Sequence, residues 1–222
     1  MLKRILLSIA ESMMRNISGG IGQRMRFVYY KRRFKTCGSN VKIDEGVIFH
    51  NPENISVGNN VWFLPYSIIT ARPLGEKINN RLIYKKINSK FISNIGSINI
   101  GNEIQIGSFN IIQGYGGLDI GNKVTTSSKV SIYSYSHYPF DKNNLSLITY
   151  ANSMIKNGCI SCIESPILIE EGCWIGLNVI VFGGAMGKNT FVTANSIVLS
   201  DLPENSYASG NPAKKIKKRF DY

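Results

Sequence analysis

Two histidines, His50 and His137, are the side chains of this sequence best suited to trade a proton near neutral pH. His137 stands in Ser131-Ile-Tyr-Ser-Tyr-Ser-His137-Tyr-Pro-Phe-Asp141, at the mouth of a long stretch without regular pattern. A neutral imidazole there can take the proton of an attacking hydroxyl or amine, which makes His137 a candidate general base. Asp141 and Glu164 are candidate carboxylates to orient it. His50, beside Asn51-Pro52, reads as structural. The cysteines are Cys37, Cys159, Cys162 and Cys173, and only Cys159-Ile-Ser-Cys162 forms a C-x-x-C pair. A structural zinc site wants four ligands, and no second pair stands at the right distance, so the cysteines read as reduced thiols and no metal is expected.

What must position such groups is a repeat. A large apolar residue returns every six positions: Cys37, Ile43, Phe49; Val57, Phe63, Ile69; Ile100, Ile106, Ile112; Ile120, Thr126, Ile132; Ile169, Ile175, Val181; Met186, Val192, Val198. Thr126 alone among these is not apolar. Glycine follows the apolar residue at Gly38, Gly58, Gly101, Gly107, Gly121, Gly176 and Gly187, where a turning chain needs φ > 0 or tolerates crowding. Every break in the spacing follows the third hexad of a set. In a prism with three short strands per turn, all insertions then leave from one corner. A lone coil cannot bury its inward residue, but six stacked coils build a continuous core. An ordinary β-sandwich would show period two, so the hexads predict an all-β parallel β-helix of about six coils.

The chain of 222 residues is 43% hydrophobic and 18% charged, rich enough in apolar residues to bury a core. Its net charge of +12 sits at the ends. Residues 1–35 hold nine Lys/Arg against one acid, and residues 214–222 hold five against one. Residues 36–213 carry twelve of each, so no nucleic-acid groove is expected along the body. Residues 1–35 form a basic helical segment, residues 36–202 the β-helix with inserts 70–99 and 138–166, and residues 203–222 a short basic tail. Leu2, Ile5, Leu6, Ile9 and Met13 lie at helical spacing opposite Lys3, Arg4, Ser8, Glu11 and Arg15, so residues 2–16 read as an amphipathic helix ended by Gly19-Gly20. Its stripe either caps the open end of the β-helix or packs on a neighbouring subunit, which are together preferred, or docks on a membrane surface. No stretch reaches the ~20 apolar residues of a membrane span, and Ile5–Ala10 is too short for a signal core, so a cytoplasmic chain is expected, with peripheral contact at the inner face of the membrane as the alternative role of the N-terminus.

The hexads, the segment Asn51-Pro-Glu-Asn-Ile-Ser-Val-Gly-Asn-Asn-Val-Trp62 and the ending Ser209-Gly-Asn-Pro-Ala-Lys214 resemble the hexapeptide-repeat acyltransferases of the left-handed β-helix type. Within that family they are similar to the galactoside and maltose acetyltransferases and to the sugar O-acetyltransferases of polysaccharide gene clusters. The resemblance spans about residues 36–217. It implies left-handed winding, a homotrimer, and acetyl-CoA as acyl donor in the cleft between neighbours, without a metal. The family's catalytic histidine, in the run T-x-x-H-P, falls on His137. Its acceptor-pocket asparagine falls on Asn110 in Gly107-Ser108-Phe109-Asn110, with Ser108 beside it; the plainer reading of Asn110 is a stacked asparagine bonding its neighbours' backbone. A family tryptophan near the thioester arm falls on Trp174, which otherwise reads as corner packing.

The coenzyme A contacts implied by the resemblance fall on Leu177, Ala194, Leu199, Ser200, Lys214 and Lys217. Ala194 and the two lysines keep the expected chemistry, a small residue beside the pantetheine arm and cations for phosphate. Ser200 stands where the family has lysine, and Leu177 and Leu199 where it has hydroxyls. The expected function is acetyl-CoA-dependent O-acetylation of a sugar hydroxyl in cell-surface polysaccharide synthesis (capsule, O-antigen or exopolysaccharide). The acceptor is a sugar, nucleotide-sugar or lipid-linked glycan. The alternatives are N-acetylation of a nucleotide-linked aminosugar and, from another class, a non-catalytic β-helix scaffold. A β-helical carbonic anhydrase needs three metal-binding histidines, and this chain has two.

Overall fold

The computed structural model describes residues 2–76, 81–86, 88–138 and 160–221. Two helices, α1 (Leu2–Arg15) and α2 (Gly19–Lys31), precede a left-handed parallel β-helix with three faces. The first face stacks six parallel strands, from Thr36–Cys37 to Gly184–Met186. The third also stacks six, from Ile48–His50 to Ile197–Val198, and the second runs from Lys42–Ile43 to Phe191–Val192 and beyond. Of the eighteen hexad residues all but the half-buried Cys37 are buried, and they form one core with the corner residues between them.

The hexad glycines work by closeness, not by handedness. None of the seven has φ > 0; each is followed two residues later by one that does, at Asn40, Asn60, Glu103, Phe109, Lys123, Asn178 and Asn189. A Cβ on Gly58 would lie 2.4 Å from the Gly101 carbonyl oxygen, and one on Gly107 would lie 2.3 Å from that of Ser127. Glycine is what lets successive coils stack at these turns. The corner between the first and second faces is tied further by asparagines. Asn59, Asn102 and Asn122 each accept, at 2.8 Å, a backbone N–H of the preceding coil, from Ser39, Asn59 and Asn102 respectively.

The insertions all leave from the corner between the third and first faces, and the two long ones pair with each other. Tyr135–His137 runs antiparallel to Ile160–Glu164, which runs parallel to Arg81–Lys85. Within residues 203–222, expected as a basic tail, Ser206–Gly210 and Ala213–Lys218 instead form a hairpin. Ser206–Gly210 continues the second face beside Phe191–Val192, and Ala213–Lys218 folds back against it.

At the other end α2 is the cap. Tyr30 stacks with Phe34 and meets Phe49 edge-on at 4.7 Å, and Phe49 meets Phe63 at 5.0 Å, so an aromatic column carries the core past the first coil. The pair Gly19-Gly20, expected to end the first helix, begins the second. Arg26, fully buried, donates from Nε to the Ile43 carbonyl and from Nη1 to those of Met14 and Ile17 at 2.7–2.8 Å. It thereby closes the C-terminal end of α1, where a cation meets the helix dipole. Burial lowers its pKa, against the pull of Glu45 and Asp44. Glu11, the single acid of residues 1–35, accepts from the hydroxyls of Tyr29 and Tyr30 and from Arg33. The face of α1 turned to the body is thus that of Glu11 and the buried Met14. The stripe residues Ile9 and Met13 stay exposed, and α1 does not cap with them.

Candidate active site

His137 ends the strand Tyr135–His137 where the second insertion begins, and its side chain is exposed. Cross-strand pairing sets it opposite Cys162, with Tyr135 opposite Glu164. Glu164 does not orient it. Its carboxylate is buried and holds the Arg72 guanidinium at 2.8 Å, while Arg72 lies over the Tyr135 ring at 5.7 Å. Asp141 and Cys159 lie outside the described residues. Arg72 was no candidate in the sequence, because its partner is 92 residues away. Across the insertion corner it ties the start of the first insert to the end of the second, on the strand that pairs with the one carrying His137. His50 is exposed on the first coil, at the capped end of the stack.

Asn110 is not available to an acceptor. It is fully buried; its Nδ2 donates to Thr126 Oγ1 at 2.5 Å, and its Oδ1 accepts the Val130 N–H at 2.8 Å. Thr126 Oγ1 also accepts the Gly107 N–H at 3.0 Å. The one polar hexad residue is therefore the partner of this asparagine, and the pair satisfies backbone inside the core. With both ends of its amide bonded inside the core, Asn110 stands as a stacked polar residue and turns no group to the surface. Ser108, half-buried at the adjoining corner, remains accessible.

The residues aligned with cofactor contacts, and the acceptor-side Ser108, fall in separate places. Ser108, Leu177 and Ala194 occupy the corner between the second and third faces, with Leu177 directly under the coil of Ala194 through the Asn195 N–H to Leu177 carbonyl bond of 2.9 Å. Trp174, 47% exposed on the outer second face, bonds Ser127 Oγ at 3.3 Å and begins an aromatic row, Trp174–Phe191–Tyr207, with rings 5.1 and 5.2 Å apart. Lys217 lies over Tyr207 at 5.0 Å, and Lys214 is exposed on the same closing strand. This row, ending in cations and flanked by the small Ala194, fits an extended thioester arm carrying phosphates. Leu199 and Ser200 do not join it. They line a depression of about 480 Å³ at the insertion corner with Lys86, Asn88, Ser165 and Asp201.

Cys173, beside Trp174, is buried. Burial pushes its thiol up to about 11, and it faces the Gly187 carbonyl oxygen at 3.2 Å. Among the described residues no three of His, Cys, Asp and Glu come together as metal ligands, and no helix is long and apolar enough to cross a membrane.

No family model matches the sequence. The dTDP-4-amino-4,6-dideoxy-D-glucose acyltransferase of Escherichia coli is 28% identical over 198 residues, 84% of this chain and 83% of that protein. The Escherichia coli K12 protein WbbJ, named for lipopolysaccharide biosynthesis O-acetyl transfer, is 30% identical over 55% of this chain and 61% of its own length. The fold matches AntD, an N-acyltransferase from Bacillus cereus in complex with dTDP-4-amino-4,6-dideoxyglucose and coenzyme A, with a TM-score of 0.68 and 21% identity over 88% of this chain and 89% of that one. It also matches the hexapeptide-repeat acetyltransferase VCA0836 of Vibrio cholerae complexed with acetyl coenzyme A, with a TM-score of 0.52 and 19% identity over 98% and 89% of the two chains.

Proposed function

We propose, for a chain whose homologues are acetyltransferases of the hexapeptide-repeat family, that it transfers an acetyl group from acetyl-CoA to a sugar hydroxyl, with His137 as general base. The observation that carries the reading is the exposed imidazole of His137, set at the mouth of the insertion corner by the paired inserts. A hydroxyl becomes a competent nucleophile as its proton leaves, and His137 takes that proton while the oxygen attacks the acetyl carbonyl. The C–O bond forms, the C–S bond breaks, and the imidazolium returns the proton to the departing thiolate. The thioester supplies an activated acyl group, so the protein has only to bind, orient and shuttle the proton.

One chain does not complete this site. His137 lies at the insertion corner, whereas Ala194, Leu177 and Ser108 lie at another, with the Trp174 row beside them. The reading requires a homotrimer that sets one chain's insertion corner against its neighbour's second face. N-acylation of a nucleotide-linked aminosugar is the second reading. It is favoured by the extent of the match to the dTDP-aminosugar acyltransferase, which spans most of both chains.

Free-thiol release from acetyl-CoA, measured with hydroxyl sugars and with a dTDP-linked aminosugar, separates the two. His137→Ala should lower kcat by about 10²–10⁴-fold with the fold intact. Turnover near that of the parent removes His137 from the mechanism, and turnover only with the amine replaces the first reading by the second.

A further inference from the structure

The N-terminal helices present a surface that neither the cap nor the candidate active site uses. In α1, Ile9 and Met13 are 51% and 74% exposed; in α2, Ile21, Met25 and Val28 follow at steps of four and three, with Ile21 76% exposed. Between the helices runs a groove of about 990 Å³, floored by Met14, Ile21, Met25 and Val28 and rimmed by Arg24 and Arg32. The opposite side of α2 caps the β-helix through Arg26 and Tyr30, so this apolar row is left facing water.

Charge identifies the occupant. Arg24, Lys31, Arg32 and Lys35 are exposed and form no ion pair among the described residues. The one acid of the segment, Glu11, is already held by Tyr29, Tyr30, Arg15 and Arg33. A second copy of this chain offers no net negative charge to meet them, because residues 36–213 balance twelve bases with twelve acids. An anionic bilayer supplies both halves of what the surface lacks. Apolar side chains enter the boundary between headgroups and acyl chains, and cations at the rim meet the phosphates. We infer that the α1–α2 hairpin docks this protein on anionic phospholipid membranes.

The inference rests on no feature of the acyl-transfer reading and is tested without any acyl donor. The full chain is floated with vesicles of phosphatidylcholine alone and of phosphatidylcholine mixed with phosphatidylglycerol, at low and high salt. It should float with the mixed vesicles and not with the neutral ones, and salt should weaken the association. At about fivefold for each cation near the surface, Arg24→Gln with Arg32→Gln should weaken binding about 25-fold. Met13→Ser with Met25→Ser should also reduce it, with the helical circular dichroism unchanged. Absence of binding to mixed vesicles at low salt overturns the inference. So does a methionine pair variant that binds vesicles as before while its mass in light scattering falls, since the strip is then a contact between subunits.

Discussion

Replacing Thr126 by valine tests the internal account of Asn110 with almost no change of shape. The hydroxyl is fully buried and accepts two donors, the Gly107 N–H at 3.0 Å and the Asn110 Nδ2 at 2.5 Å. Valine fills the same volume, so no cavity opens and the cost is that of two orphaned donors. Each is worth about 1–3 kcal/mol, or about 2–6 together. Burying a methyl in place of a hydroxyl returns on the order of 1 kcal/mol. The net loss should centre near 3 kcal/mol, a fall in Tm of about 6–12 °C at this chain length. Guanidinium unfolding followed by far-ultraviolet circular dichroism measures it, at one fixed protein concentration because subunit association adds to stability. Combining Thr126→Val with Asn110→Ala should cost less than the two singles added, since the double variant no longer strands the amide. A Thr126→Val protein within about 0.5 kcal/mol of the parent refutes the bonding, and strict additivity detaches Asn110 from it.

Gly22→Ala places a Cβ 1.8 Å from the Ile17 carbonyl oxygen and 2.9 Å from Arg26 Nη1, so α1 must leave its dock. Limited proteolysis should then cut near residues 16–20 much faster, while the β-helix fragment survives; an unchanged digestion pattern contradicts the close approach. Cys173, with its thiol near 11 and buried, should resist iodoacetamide at pH 8 in the folded protein, with about one thiolate in a thousand. Peptide mapping that finds Cys173 alkylated without denaturant shows the site to be open.

The β-helix was legible because its cause is local and repeated: each inward residue faces the same demand six positions later, and even the exception, Thr126, marked a real change of environment. The glycines were legible as turn residues, but their reason is the neighbouring coil's backbone, which no single hexad contains. Features that depend on distant partners were not legible. Arg72 meets Glu164 only once the two inserts pair, and Glu164 therefore looked free to serve His137. Asn110 fitted a polar role because the sequence shows its type and not its burial. The stripe on α1 read as a surface for capping or subunit packing, and the capping fell to the second helix because Tyr30, with Phe34 just beyond it, continues the aromatic column of the core.

The confinement of the insertions to one corner bears on how such a chain can change over time. Neighbouring coils without a long insert join residues 20 apart, as Ser39 and Asn59 do; across the inserts the separations are 43 for Asn59 and Asn102 and 49 (174 − 125) for Thr125 and Trp174. Doubling the closed length costs only about 0.6 kcal/mol in loop entropy. The remaining corners have no such freedom, since a residue added there shifts every inward side chain above it out of phase. Descent can therefore lengthen, shorten or exchange the segments after Thr70 and Ser134 while the three faces keep their spacing. The two halves of the candidate site are thus under different constraint, with the insertion corner tolerant of changes in length and the Trp174 row bound to the repeat.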